Sequence, residues 1–134
     1  IEDPQMRQRM QQQPPMDNIL KLAAEADIRF IGVGHLGDDA PLHIDGFISK
    51  DELMSLRKSG GIGEVISWSF DQDGTILDHA VNHCVTSAPA QSPTTNTIAV
   101  AKGTKKVKAI RGAMRGKLIS TLITDEATAE SLLQ

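Results

Sequence analysis

The sequence predicts an α/β fold, with a mostly parallel layered sheet and one antiparallel hairpin, and three stretches carry that reading. The first is the C-terminal third. Thr97 to Val100 has strand character, Gly103-Thr104 is a turn, and Lys105 to Arg115 places Val107, Ile110, Ala113 and Met114 on one helical face. Gly116 closes that helix, Leu118 to Ile123 is a further strand, and Thr124-Asp125-Glu126 opens a helix whose apolar side is Ala129, Leu132 and Leu133. Two strands joined through a helix run parallel and cross over with a right hand. The second stretch is Ile28 to Val33, a short apolar strand behind an amphipathic helix that runs from Asp17 with Ile19, Leu22, Ala23 and Ala26 at helical spacing. The third is Glu64 to Phe70, where Val65, Ser67 and Ser69 alternate with Ile66, Trp68 and Phe70. Asp71 to Gly74 then turns the chain, and Thr75 to Leu77 returns as the hairpin partner.

The remaining segments read as follows. Asp3 to Gln13 is polar and Gln-rich, with Pro4 placed as a first helical residue, and Pro14-Pro15 stops it. Gly37 to Gly46 is loop-like, with Asp38-Asp39, Pro41 and Asp45-Gly46. Ser49 and Glu52 form a capping box, with Ile48 and Leu53 as the hydrophobic staple, and Gly60-Gly61 ends the helix they start. Ser87 to Asn96 is a Ser/Pro/Thr-rich loop, and there is no internal repeat.

Composition bounds the function. The chain has 134 residues, 40% hydrophobic and 23% charged, which suits one globular domain rather than a disordered tail. Net charge is −3 with Lys and Arg dispersed, so no basic footprint for nucleic acid is present. No apolar run approaches the roughly 20 residues of a membrane helix, and the N-terminus does not read as a signal peptide. Cys84 is the single cysteine, so no intrachain disulfide forms, which suits a reducing cytoplasm. Ile1 and the helical pattern reaching Gln134 make both ends read as cut.

Three places could carry chemistry. Gly32-Val33-Gly34-His35-Leu36-Gly37 spells a dinucleotide fingerprint, but Asp38-Asp39-Ala40-Pro41 follows where a helix N-terminus should receive the pyrophosphate. A glycine turn forming one wall of a pocket beyond a strand end fits better. Ala101 to Lys106 crowds three lysines between a strand and a helix, where the helix dipole disfavours them by roughly 0.3–1 kcal/mol each. They either serve an anionic or polyhydroxy ligand or point into water. Glu64 follows Gly60-Gly61-Ile62-Gly63, where backbone can approach a ligand closely. It shares a pocket with Lys106 only if its strand runs antiparallel to its parallel neighbours; otherwise it is a solvated strand end. His79, His83 and Cys84 lack a fourth ligand for zinc, and Asp71, Asp73 and Asp78 lack the spacing of a calcium loop. The sequence points to no metal, no cofactor and no nucleophile arrangement.

Ile31 to Asp39, Gly60 to Val65, Phe70 to Gly74, Val100 to Ile110 and Gly116 to Ala129, in that order, resemble the landmarks of SorC-type sugar-binding transcription regulators. The resemblance covers most of the chain. It implies a three-layer Rossmann-like domain related to glucosamine-6-phosphate deaminase and ribose-5-phosphate isomerase, of which residues 1–134 are the C-terminal portion. It also implies a sugar or sugar-phosphate effector, operator DNA bound through a helix-turn-helix outside this chain, a homo-oligomer (dimer or tetramer), and no catalysis. Glu64 and Lys106 carry over as the sugar-end ligands, with Gly32, Gly34 and His35 nearby, while the family's phosphate loop has no counterpart here. His35 stands where the family often has a small residue. Lys102 interrupts a usual Gly-Gly pair, which puts the turn conformation in question. Two other readings are an isomerase- or deaminase-like enzyme using Glu64 as base, and an oligomerisation-only fragment.

Overall fold

The structure, a computed structural model, describes residues 3–134. Two helices open it, α1 (Pro4–Gln11) and α2 (Pro14–Glu25). Pro14 and Pro15 start α2, so this helix begins before Asp17; a proline at the first helical positions has no needed amide to lose. Six strands follow in chain order: β1 (Ile28–Ile31), β2 (Gly34–His35), β3 (Gly63–Val65), β4 (Trp68–Phe70), β5 (Asn96–Val100) and β6 (Thr121–Ile123). They form two separate sheets, a parallel one in the order β1-β5-β6 and an antiparallel one in the order β2-β3-β4.

The expected crossover is present. Five helices complete the described elements: α3 (Pro41–Ile44), α4 (Lys50–Lys58), α5 (Ala80–His83), α6 (Val107–Arg115) and α7 (Glu126–Leu133). Helix α6 connects β5 to β6, which pair in parallel. Its Ala109, Ile110 and Ala113 are fully buried in one core with Ile31 and Ala99 of the parallel sheet and Val65 and Phe70 of the antiparallel sheet. Small residues on α6 let both sheets approach, and each fully buried Ile or Phe stabilises by roughly 1.5–3 kcal/mol. Met114 and Leu133, expected on packing faces, are exposed. A second core joins Leu36, Leu42, Ile48, Leu53 and Leu56. The capping box holds it in place: Ser49 Oγ accepts from the Glu52 amide at 3.2 Å and Glu52 Oε2 accepts from the Ser49 amide at 2.7 Å.

Several expected boundaries shift for local reasons. Glu64 to Phe70 is not one strand, because Val65 pairs directly with Trp68 and leaves Ile66 and Ser67 as a two-residue hairpin turn with φ of 43° and 74°. The turn inverts the alternation, so Val65 and Phe70 are both buried in the same core. A left-handed backbone at a non-glycine residue costs about 1–3 kcal/mol. The Thr75 to Leu77 return reduces to a bridge between Phe70 and Ile76 and a 3.0 Å bond from the Leu77 amide to Ser69 O. Buried Asn82 completes it, accepting from the Ser69 amide and donating to Ser69 O and Leu77 O, each at 2.8 Å. Helix α3 occupies the expected loop after Gly37. Strand β1 stops at Ile31, and Leu118 and Ile119 are buried ahead of β6 rather than in it. A 3-10 turn, Thr104–Lys106, precedes α6. After α6 the left-handed residue is Lys117 (φ 54°) and not Gly116 (φ −77°).

The outer face of the parallel sheet stays open. Ile28, Phe30, Val100 and Ile123 project from it, and Phe30 is 67% exposed.

Candidate functional site

The chain passes from the C-terminal end of β1 through Gly32-Val33 into β2, and from the C-terminal end of β5 through Gly103 into the 3-10 turn. Ligands of open α/β sheets bind beyond the carboxyl ends of the strands. A cavity of about 330 Å³ lies there, with Gly32, Val33 and Gly34 on one side and Glu64 and Lys106 among its polar walls. Pro41, Leu42, Asp45, Phe47, Ile66 and Ser67 complete it.

Gly34 faces Glu64 across the β2–β3 pair. A Cβ at Gly34 would overlap Glu64 Oε1, so glycine is what lets the carboxylate lie over the neighbouring strand. Only the end of a flexible side chain stands in the way. Gly34→Ala is therefore expected to change the thermal midpoint little while turning Glu64 away and weakening any ligand that Glu64 holds in the cavity at least about tenfold, roughly 1.4 kcal/mol. Parallel melting and titration measure the two effects.

Glu64 is also held by the Ser67 amide, which donates to its Oε2 at 2.8 Å. Burial pushes its carboxyl above the usual glutamate range, while the Ser67 amide and the Lys106 ammonium pull in the other direction. A glutamate that binds its proton more tightly folded than unfolded weakens the fold as pH rises from its ordinary value through the raised one. Glu64→Gln removes that term. The variant should be more stable than the parent at neutral pH, and the advantage should vanish below the ordinary glutamate range, as melts across pH will show.

The three lysines diverge. Lys105 pairs with Asp39, whose carboxyl is lowered chiefly by that hydrogen bond. Lys102 favours the charged form of Asp125, although the bonds from Thr128 do more. Lys106 alone of the three lines the cavity. The turn that aims it is anchored from α7: Asp125 caps that helix through the Thr128 amide, and Thr128 Oγ1 accepts from the Gly103 amide at 2.8 Å. Gly103 takes the positive φ, 112°, so Lys102 is free of it.

The structure thus brings together Gly32, Gly34, Glu64 and Lys106. It places His35 elsewhere. Strand alternation sends His35 off the cavity; its Nδ1 accepts from the Gly37 amide at 3.1 Å and its Nε2 stands 3.9 Å from Asp39 Oδ1. The condition set for Glu64, a strand antiparallel to parallel neighbours, is not the arrangement found: β3 pairs antiparallel with β2 and β4 in a separate sheet, and Glu64 reaches the cavity from there. No helix starts at Gly37, since α3 begins at Pro41, so the glycine run, which carries β2, is not a phosphate cradle. His79 accepts from the Val81 amide and meets Ser55 Oγ at 3.0 Å, while His83 pairs with Asp78. Sequence reasoning missed Asp45, Phe47, Ile66 and Ser67. For Ser67 the available signal was a hydroxyl residue three positions after Glu64.

A family model described as "Putative sugar-binding domain" matches residues 1–134. The chain belongs to the sugar-binding domain family. The deoxyribonucleoside regulator of Bacillus subtilis (strain 168) is 32% identical over 120 residues, which are 88% of this chain and 38% of that protein. Among solved structures, a DeoR family transcriptional regulator from Listeria monocytogenes superposes with a TM-score of 0.93 at 21% identity, over 98% of this chain and 54% of that one. The full-length sorbitol operon regulator SorC from Klebsiella pneumoniae gives 0.89 at 24% identity, over all of this chain and 44% of its own. The sugar-binding domain chain therefore spans about half of these structures and less than half of the related regulator sequence. Its resemblance to SorC-type regulators and its α/β fold agree with both comparisons.

Proposed function

We propose that this sugar-binding domain chain is the C-terminal part of the effector-sensing domain of a transcription regulator of carbohydrate catabolism. The observation that carries the reading is the cavity at the strand ends, where a largely buried carboxylate, Glu64, and an ammonium, Lys106, face a glycine wall. A carboxylate accepts from sugar hydroxyls and an ammonium donates to them. Asp45 adds a second carboxylate, so the cavity suits the hydroxyl end of a sugar or sugar phosphate better than its phosphate. The phosphate would be held by a loop outside this chain. The names of the related proteins favour a regulator over an enzyme.

The open sheet face supports a larger domain. Parallel sheets are covered on both sides, and the apolar row of Ile28, Phe30, Val100 and Ile123 calls for a cover from the rest of the domain. Operator DNA would be bound by a helix-turn-helix outside this chain, in a cytoplasmic homo-oligomer. Among the described residues no helix is long and apolar enough to cross a membrane. A sugar would act by binding one conformational state more tightly than another.

Thermal melting of the complete effector domain against a panel of phosphorylated ketoses and aldoses tests this. Saturable stabilisation by one of them is expected, with no turnover of it; no shift across the panel would sink the reading, and isomerisation or deamination would favour the enzyme instead.

A further inference from the structure

The hairpin turn Ile66-Ser67 is built against local preference. A two-residue turn with both φ values positive is most relaxed as Asn-Gly or Asp-Gly, and a β-branched residue in the left-handed region is an outlier. Here Ile66 stands at φ 43° and Ser67 at 74°. The turn is held from outside: Ser87 Oγ donates to Ile66 O at 2.6 Å, and Trp68 Nε1 donates to Ala88 O at 2.8 Å. Backbone strain maintained in this way gathers at ligand clamps. Both turn residues line the cavity beside Glu64. The Ser67 amide holds the Glu64 carboxylate, which leaves the Ser67 hydroxyl for something else.

We propose that the Ile66-Ser67 turn is itself a sugar-recognition element, a role that rests on the reading of the cavity as a sugar site. The Ser67 hydroxyl and the Glu64 carboxylate take two neighbouring hydroxyls of one ligand, and Ile66 packs on its C–H face. The ligand class is a sugar that presents a vicinal diol. The strain is kept because Asn-Gly would relax the turn and remove both contacts.

The test uses the full-length polypeptide carrying this chain, with ribose, deoxyribose, glucose and fructose as probes, each free and as its terminal monophosphate. The double variant I66N/S67G relieves the strain but gives up the packing of Ile66 against the core, so it should melt within a few degrees of the parent and bind the parent's best probe at least about tenfold more weakly. Ser67→Ala keeps the amide, so it should weaken that probe about fivefold without moving the pH midpoint that Glu64 gives to binding. Unchanged affinity in both variants overturns the proposal while leaving the sugar site standing. A parent protein that binds none of the probes overturns both.

Discussion

Lys106→Ala is expected to abolish the stabilisation that a sugar effector confers on the complete domain, and Glu64→Ala is expected to do the same. At an effector concentration about 100 times its Kd, the parent gains about 2.7 kcal/mol. Each variant should gain none. Removing the ammonium takes away the cavity's cationic donor and also the cation that draws the Glu64 carboxyl back toward its charged form. Removing the carboxylate leaves the sugar hydroxyls opposite Ser67 without their strongest acceptor. Neither residue belongs to the two buried cores, so both variants should fold and the loss can be read as binding. Thermal shift with and without effector measures it. A variant that keeps the full shift would show that its side chain does not touch the sugar.

Gly74→Ala should cost about 2–5 kcal/mol of stability, combining about 1–3 for overpacking with about 1–2 for a left-handed residue. Gly74 has φ 77°, and a Cβ there would meet Gly112 O and lie 2.5 Å from Gly116 Cα. These are backbone atoms and cannot swing aside. Here the turn after β4 rests directly on the end of α6. Gly116→Ala enters the same contact from an ordinary φ of −77°, so it should show only the overpacking part. Urea unfolding of the two variants separates the terms. Equal losses would mean that the backbone conformation at Gly74 contributes nothing.

The pair of glycines also shows how much could be read from the sequence. Gly116 was legible as a helix end, and Asp71 to Gly74 as a turn, but that the two touch is a tertiary fact with no local signature. Elements with strong local signals stand where expected: the capping box at Ser49 and the parallel crossover through α6. The Ile66-Ser67 turn was missed because it carries none of the residues that relax such a turn. Alternation across two residues then reads as an unbroken strand.

The site follows the same division. Glu64 and Lys106, which both line the cavity, are legible as candidates because glycines and a strand-to-helix turn flank them, and because the ordered motifs resemble one family. His35 sits in the same glycine run, yet strand alternation sends it toward Asp39. Three lysines within five residues look equivalent in sequence, and their surroundings separate them: Lys105 pairs with Asp39, and Lys106 alone of the three lines the cavity. Asp45 and Phe47 reach the cavity from a segment with no pattern of its own beyond loop composition. The closing Asp125-to-Thr128 segment earns its place by anchoring the Gly103 amide, a role visible only once the two ends of the crossover are side by side.

The central claim is that Glu64 and Lys106 hold the hydroxyl end of a sugar at the strand ends. A crystal structure of the complete effector domain with the sugar phosphate that gives the largest thermal shift tests it most directly. Sugar hydroxyls within hydrogen-bond reach of the Glu64 carboxylate and of Lys106 Nζ, with the phosphate held outside this chain, are the predicted result. The same sugar phosphate bound elsewhere, with this cavity empty, would contradict it.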